Sequence, residues 1–221
     1  MSSFKKVIRK FSIMGFSIHA WWYFIKYNFF SIHVERHGKK SFLFPTRNAL
    51  IEMGENSKLI LYGPLRIGTT QVRGSKMEAR LRIGNNGIFK VENGLELFAG
   101  SFVRIMDNGE LVIKSAVFNE GTQISCGAKI EIGEGCLFAR DVVIRSDDVH
   151  TINVPGYEPS KPIIIGNHVW AGQGSKIMKG VTIGNGSIVS ANALVLKDVP
   201  ERCIAAGLPA KVIKENIEWD Y

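Results

Sequence analysis

The sequence predicts a mainly β protein folded as a three-sided parallel β-helix, and the spacing of its aliphatic residues is the main reason. A plain strand has a period of two, so a period of six requires a corner in every repeat. From Ile165 onward an aliphatic residue recurs at every sixth position, with a small or β-branched residue four positions after each. The aliphatic set is Ile165, Ala171, Ile177, Ile183, Val189 and Val195, and the second set is Val169, Ser175, Val181, Ser187, Ala193 and Val199. Three such sides close a coil of about 18 residues, and coils stack into a prism.

The same period appears earlier in the chain, which extends the predicted prism towards residue 58. The inward positions are Cys126, Ile132, Phe138 and Ile144, followed at four residues by Ile130, Cys136 and Val142, and Ile83, Phe89 and Leu95 continue the pattern upstream. Gly, Asn and Asp residues between the repeats tolerate the backbone angles of corners. We therefore expect the β-helix to occupy residues 58–207. Cys126 and Cys136 are expected to be small core residues.

A break in the period predicts a loop. Ile144 and Ile165 are 21 residues apart, which is one coil of about 18 residues plus three, so a few residues are expected to leave the prism. Residue types that favour loops cluster within residues 147–162, namely Asn153, Pro155, Gly156, Pro159 and Pro162. Loops that a rigid scaffold holds commonly carry function. His150 lies at the start of this loop.

Residues 1–57 differ from the rest and are predicted to form a helical, basic and aromatic extension. Apolar residues between Phe4 and Phe29 follow helical steps, as one long or two short amphipathic helices, and residues 31–57 read as irregular. Residues 1–40 hold +7 of the net charge of +8. The basic character is therefore local, and no nucleic acid partner is expected. The helix is too interrupted to span a membrane. Either it binds the inner face of a membrane peripherally, or it packs against the prism or across a trimer.

The cysteines and the N-terminus bear on the compartment and on metal binding. The three cysteines include no CxxC pair, so neither a disulfide framework nor a cysteine-based zinc site is indicated. No short apolar stretch with a small-residue cleavage site follows the basic N-terminus, so a cytoplasmic protein is expected. The tail, residues 208–221, reads as a short helix that caps the open end of the solenoid.

Three stretches resemble the hexapeptide-repeat acyltransferases, and most closely the sugar and polysaccharide O-acetyltransferases. They are residues 146–150, 166–172 and 206–213. The resemblance is strong over residues 124–216 and weaker over 58–123, while residues 1–57 resemble only the helical extensions of some surface-polysaccharide members. It implies a left-handed β-helix, a homotrimer that binds acetyl-CoA between subunits, and a saccharide acceptor, which a lipid could carry.

The resemblance also implies roles for individual residues, beginning with His150, which matches the catalytic histidine of the family. An imidazole can take the proton of a sugar hydroxyl as it attacks a thioester and pass that proton to the thiolate. Asp147 or Asp148 could hold the other ring nitrogen. Asp148 falls on an inward repeat position, which favours Asp147, and two solvated corner acids are the alternative. Trp170 resembles a tryptophan that lines the acceptor and thioester site; a packing residue at a subunit contact is its alternative.

The cofactor contacts that the resemblance implies lie C-terminal to Trp170. The pantetheine arm would follow Gly172, Ala191 and the corner at Leu196 and Lys197. A backbone N–H near Gly172 or Gln173 would stabilise the oxyanion, although the family usually has a smaller residue where Gln173 stands. The phosphates would lie near Lys211 and Lys214, each of which could equally be a solvated surface lysine.

The histidines and the tail also bear on other functions that the same prism can carry. A zinc-dependent carbonic anhydrase needs three converging histidines, whereas the repeats offer only His150 and His168, so no metal is expected. A non-catalytic scaffold is disfavoured because His150, Trp170 and the Gly-Leu-Pro-Ala-Lys tail occur together. N-acetylation of an amino-sugar nucleotide stays open as the alternative to O-acetylation.

Overall fold

The computed structural model describes residues 17–72 and 74–220, so the part of the proposed N-terminal helix before Ser17 lies outside the described residues. Helix α1 (Ile18–Ile25) begins at the N-cap Ser17, whose side chain accepts a hydrogen bond from the Ala20 N–H, and it continues into a π-helical turn, Lys26–Phe30. Everything that follows in regular structure is strand. The chain is therefore mainly β, as the period predicts.

The strands form the three faces of a left-handed parallel β-helix. Face 1 consists of β1 (Val34–Arg36), β4 (Lys58–Leu61), the first part of β7 (Ile88–Phe98), the first part of β9 (Glu110–Phe118), β11 (Lys129–Ile132), β14 (Ile163–Ile165) and β17 (Thr182–Ile183). Face 2 consists of β2 (Leu43–Pro45), β5 (Leu65–Thr69), the later parts of β7 and β9, β12 (Cys136–Phe138), β15 (Trp170–Ala171), β18 (Ile188–Val189) and β20 (Ile204–Gly207). Face 3 consists of β3 (Ala49–Met53), β6 (Ala79–Ile83), β8 (Phe102–Ile105), β10 (Gln123–Cys126), β13 (Val143–Arg145), β16 (Lys176–Met178) and β19 (Leu194–Val195). The last strand, β21 (Ala210–Lys214), runs antiparallel to β20.

The six-residue register of the sequence is confirmed in the core. All the aliphatic and small residues of the repeats from Ile165 to Val199 are buried, and so are those of the upstream repeats. Phe118 and Phe138 stack in the middle of the prism with ring centroids 4.4 Å apart. Cys126 and Cys136 are buried, and burial raises the pKa of Cys126 to about 12 and of Cys136 to about 11. They are inert core residues.

The predicted length of the loop was wrong, because Ile144 and Ile165 lie on different faces. Ile144 pairs with Ile177, and Ile177 in turn pairs with Val195. The second pair is separated by one regular coil, whereas the first pair is separated by nearly two. The loop therefore inserts roughly 15 residues into one coil rather than three, since the normal step from face 3 to face 1 is one side and not one coil. This longer insertion makes the loop around His150 a substantial excursion from the prism.

The predicted domain boundary at residue 58 was also wrong. Strand β1 begins at Val34 and pairs in parallel with β4, while β2 and β3 pair with β5 and β6, so residues 34–57 form a first coil. The extension packs on the open end of this coil. The Asn28 side-chain amide donates to the Leu43 carbonyl at 2.8 Å and accepts from the Leu43 N–H at 2.9 Å, and the Tyr27 hydroxyl donates to the Ile51 carbonyl. Residues 18–30 therefore cap the core at this end, as the packing alternative expected.

The predicted C-terminal helix is absent from the described residues, and a β-hairpin takes its place. Gly207, at a φ of 101°, and Pro209 reverse the chain, so that β21 pairs with β20. A final strand would otherwise leave a row of backbone N–H and C=O groups unpaired, and β21 satisfies that edge where a helix could not. The segment after β21 folds back, with Ile217 buried and its N–H donating to the Arg202 carbonyl at 3.0 Å.

Candidate active site

The loop around His150 leaves the prism where face 3 turns to face 1, which we call the loop edge (residues 146–162, 179 and 196–198). Backbone hydrogen bonds close its neck. The Asp148 N–H donates to the Pro159 carbonyl at 2.9 Å, and the Lys161 N–H donates to the Ser146 carbonyl at 3.0 Å. Asp147 and Ser160 form an antiparallel bridge between these two bonds. The excursion is therefore anchored at its base even though its tip is exposed.

A three-residue latch of Asp148, Tyr157 and Lys179 holds the loop against the next coil. The Asp148 carboxylate accepts hydrogen bonds from the Tyr157 hydroxyl and from Lys179 Nζ, and the same ammonium lies 4.4 Å from the centre of the Tyr157 ring. The hydrogen bonds from Lys179 and then Tyr157 hold the pKa of Asp148 below its ordinary value. A depressed carboxyl pKa means that the latch stabilises the loop above the ordinary carboxyl range and loosens as the pH falls through the depressed pKa.

His150 follows a strained residue at the start of the loop. Val149 has a φ of 64°, a left-handed conformation that a β-branched side chain adopts at a cost of roughly 1–3 kcal/mol. The His150 N–H donates to the Asp148 carbonyl at 2.7 Å, which makes a tight turn, and its side chain is exposed. Latch and turn together therefore fix the position of His150 beside the prism.

The structure corrects the expected positions of the two carboxylates. Asp147, not Asp148, is the buried acid, because the alternation of inward and outward residues breaks at the loop neck, where Ser146 and Asp147 are both buried. The Asp147 carboxylate accepts a hydrogen bond from Ser125 Oγ at 2.7 Å and lies 3.7 Å from the Arg145 guanidinium. Within the described residues neither carboxylate forms a hydrogen bond with the His150 ring, and the contacts of Asp147 lie at the neck of the loop.

Gly172, Gln173 and Ala191 meet at a different edge, where face 2 turns to face 3, which we call the glycine edge (residues 172–175 and 190–193). A Cβ on Gly172 would lie 2.6 Å from the Ala191 nitrogen, so only glycine allows the two coils to approach so closely. The Gly172 N–H is used, since it donates to the Val189 carbonyl at 2.7 Å. The Gln173 N–H meets no acceptor among the described residues. Of the two predicted oxyanion donors, Gln173 is therefore the available one.

Trp170 lies on the outer side of face 2, next to an aromatic contact that the sequence did not indicate. The Trp219 ring of the C-terminal segment stacks on the His168 ring with centroids 3.8 Å apart, and it lies 5.9 Å from the Trp170 ring. The His168 Nε2 atom is 2.8 Å from the Trp219 carbonyl. Trp170 is 41% exposed, so its ring is available to a ligand or to another subunit.

The predicted cofactor residues divide between the two edges. In β21, Lys211 pairs with Ala206 and Lys214 pairs with Ile204, so both lysines continue the face 2 ladder of Trp170 beyond β20. Leu196 and Lys197 instead follow β19 on the loop edge, one coil after Lys179. All four side chains are exposed.

The two groups of candidate residues therefore lie on opposite edges of face 3. One group is His150 with Leu196 and Lys197; the other is Trp170, Gly172, Gln173, Ala191, Lys211 and Lys214. The step along face 3 from Gln173 to the latch residue Lys179 is about six residues of extended chain, or on the order of 20 Å. Proton transfer needs a separation near 3 Å. One chain therefore does not bring the two groups of candidate residues together.

Sequence patterns could not reveal Tyr157, Lys179 or Trp219, because each is a single residue whose contact depends on how the loop and tail fold back. Between residues 17–72 and 74–220, no three His, Cys, Asp or Glu side chains converge closely enough to hold a metal ion.

The chain is similar to proteins of known family. Residues 162–197 match the bacterial transferase hexapeptide family (six repeats). A polysialic acid O-acetyltransferase of Escherichia coli O1:K1 / APEC is 42% identical over 94 residues, which are 41% of this chain and only 31% of that relative. A Schizosaccharomyces pombe protein whose name assigns it to the acetyltransferases is 47% identical over 142 residues, which are 57% of this chain and 69% of that relative.

A solved structure shows the same fold. The crystal structure of a polysialic acid O-acetyltransferase superimposes with a TM-score of 0.52 at 24% identity, covering 85% of this chain and 91% of that one. The six-residue repeats of the structure agree with the family match, and the relative from Schizosaccharomyces pombe is covered over 69% of its length. This chain belongs to the hexapeptide-repeat acetyltransferases.

Proposed function

We propose that the protein transfers the acetyl group of acetyl-CoA to a hydroxyl group of a saccharide. The observation that carries the proposal is the latched, exposed His150 on a large excursion from the prism, combined with the unpaired Gln173 N–H beside Gly172. The similarity to a relative named for O-acetylation of polysialic acid supports a saccharide acceptor.

The chemistry assigns one task to each group. His150 takes up the proton of the sugar hydroxyl as that oxygen bonds to the thioester carbonyl carbon, and it returns the proton to the sulfur when the C–S bond breaks. The Gln173 N–H donates a hydrogen bond to the oxyanion. The pantetheine arm follows the glycine edge past Gly172 and Ala191, and Lys211 and Lys214 provide cations for the phosphates. The products are an O-acetyl saccharide and free coenzyme A.

A complete site requires a second copy of the chain, and a cyclic homotrimer provides one. The outward row of face 2 is apolar, running from Val117 through Leu137, Trp170 and Ile188 to Ile204, with each residue paired to the next. If face 2 of one subunit packs on face 1 of its neighbour, the glycine edge of the first and the loop edge of the second meet at the mouth of the cleft. Three-fold symmetry then creates three equal sites.

Mixing two inactive variants tests this arrangement. His150→Ala removes the base, whereas the double change Lys211→Glu and Lys214→Glu removes the phosphate contacts, so each homotrimer should be nearly inactive with acetyl-CoA and a saccharide. After co-expression, random trimers should recover about a quarter of the wild-type sites, because half-sites are then drawn from different subunits.

Three results would contradict the proposal. The first is that co-expression recovers no activity. The second is that light scattering at micromolar concentration shows a monomer and that this monomer still turns over acetyl-CoA. The third is a product that hydroxylamine does not cleave. Hydroxylamine cleaves an acetyl ester and spares an amide, so it separates O-acetylation from N-acetylation. Thermal stabilisation by acetyl-CoA alone checks that the coenzyme binds to the wild-type protein.

We also propose that the capped end of the prism touches an anionic membrane surface. While Tyr27 and Asn28 are buried against the prism, the outer side of the same segment exposes Ile18, Trp22, Phe29, Phe30 and Ile32. Exposed basic residues (Lys26, Lys39 and Lys40) lie close to these in the chain. Apolar insertion and attraction of about 1 kcal/mol per Lys or Arg to anionic lipid would act together. No described helix could span a membrane.

The double change Trp22→Ser and Phe30→Ser should weaken co-sedimentation with phosphatidylglycerol vesicles by at least about tenfold, because it removes two large inserting side chains. Both residues are exposed, so the fold should be retained. Leu208→Ser, at the other end of the prism and 72% exposed, is the matched control. The membrane proposal is wrong if the wild type, the double variant and Leu208→Ser bind the vesicles equally, or if the wild type does not bind them at physiological salt.

A further inference from the structure

Four arginines lie on the outer side of face 3, and their positions follow from the strand register. Arg82 pairs with Arg104, Arg104 pairs with Ser125, and Ser125 pairs with Arg145. Since neighbouring strands are about 4.8 Å apart, this row places three guanidinium groups along roughly 15 Å of the prism axis. Arg80 lies beside the row on β6. The row ends next to the loop that carries His150.

Two cavities follow this row. One, of about 160 Å³, is lined by Arg104, Ser125, Arg145 and Val149 among others, so it reaches the residue before His150. The other, of about 260 Å³, is lined by Arg80, Arg82 and Glu52, and Phe102 lines both cavities. Because Phe102 lines both, the two cavities are neighbours on face 3, and we call the two together the groove.

The groove keeps positive charge after its internal ion pairs are counted. Glu78 lies 2.6 Å from Arg80, Glu52 lies 3.5 Å from Arg82, and Asp147 lies 3.7 Å from Arg145. Arg104 forms no ion pair with the described residues, and Lys176 adds a further exposed cation on the same face. An anionic group that entered the groove would therefore meet Arg104 unpaired and Arg145 only loosely paired.

We infer that the acceptor is an acidic saccharide chain, which lies along face 3 with its acidic groups on Arg104 and Arg145 and so presents a hydroxyl to His150. The inference rests on the proposed acetyl transfer. An arginine guanidinium donates two parallel hydrogen bonds to the oxygens of one carboxylate or phosphate group. A row of arginines therefore suits acidic groups that repeat along a chain. Three copies of this face around a symmetry axis would repel one another, so the trimer leaves face 3 open to solvent.

Oligosaccharides of defined charge test the inference. Calorimetry and initial acetyl-transfer rates are measured with oligosialic acid, oligogalacturonate, a phosphodiester-linked sugar oligomer and a neutral galactose oligomer. The wild type should bind at least one anionic oligomer and should prefer it to the neutral one. Arg104→Gln should lower the affinity and kcat/KM for that oligomer by about 10- to 100-fold, because a charge-assisted pair of hydrogen bonds is lost. Arg104→Lys should fall between the two, since it keeps the charge without the bidentate geometry.

Arg47→Gln, which makes the same charge change at an exposed position that lines neither cavity, is the matched control and should behave as the wild type. The carboxylate and phosphate arms identify which acidic group the groove accepts. The inference is overturned if every oligomer binds equally, or if Arg104→Gln only dissociates the trimer. If Arg104→Gln acetylates the neutral oligomer as fast as the wild type does, the proposed acetyl transfer is still supported. If the protein neither binds acetyl-CoA nor acetylates any oligomer, the proposed function is wrong. Calorimetry of oligomer binding still tests the groove in that case, because it needs no acetyl transfer.

Discussion

Substitution of His150 by alanine is expected to slow acetyl transfer by roughly 100- to 10,000-fold, the range for a positioned general base. Binding of acetyl-CoA should hardly change, because the coenzyme contacts lie on the glycine edge and the imidazole acts on the acceptor hydroxyl. Steady-state rates with saturating substrates, together with calorimetric titration of acetyl-CoA, measure the two effects separately.

His37→Ala is a suitable control for that experiment, since His37 is exposed near the capped end and far along the prism from the loop. It should leave the rate within about twofold of the wild type, as expected for a surface substitution away from the site. An alanine variant at position 150 that keeps activity within tenfold of the wild type would rule out His150 as the base.

The replacement of Phe138 by alanine is expected to lower the free energy of unfolding by about 3–5 kcal/mol. Phe138 is fully buried and stacks on Phe118 between two coils. Its loss would remove a large apolar side chain and leave a cavity that rigidly paired strands cannot close. Urea-induced unfolding at one fixed protein concentration measures the change, because the stability of an oligomer depends on concentration.

Phe30→Ala supplies the matched comparison, because the same side chain is 77% exposed there. We expect that variant to unfold within about 0.5 kcal/mol of the wild type. A similar small loss at Phe138 would mean that the core accommodates the change, in disagreement with the close stacking of the coils.

Sequence periodicity predicted the core of the prism well, for a physical reason. Each inward position touches its equivalents in neighbouring coils, so selection for a packed interior repeats the same residue class every six positions. Ile165, Ala171 and Ile177 could therefore be placed inside without coordinates. The same reasoning marked the loop with His150, since only an insertion can break such a period.

The periodicity did not predict the strands of the first coil or of the tail, because these strands are stabilised by contacts with residues distant in sequence. Residues 34–57 have a weak period, and their strands form because β4, β5 and β6 provide partners and the N-terminal segment covers the open end. The tail contains residues that suit a short helix, but the unpaired edge of β20 favours a strand there. The backbone hydrogen bonds that β20 offers therefore outweigh the local preference of the tail for a helix.

The sequence by itself determined the solenoid, its buried register and the identity of His150, Trp170, Gly172 and Gln173 as candidates. Only the tertiary structure decided that these candidates divide between two edges, and that the Asp147 carboxylate accepts a hydrogen bond from Ser125 at the loop neck. It also decided the arginine row, because the separations between Arg82, Arg104 and Arg145 along the chain are not multiples of one coil length. Outward residues align through the actual lengths of the intervening corners and loops, and those lengths follow no period.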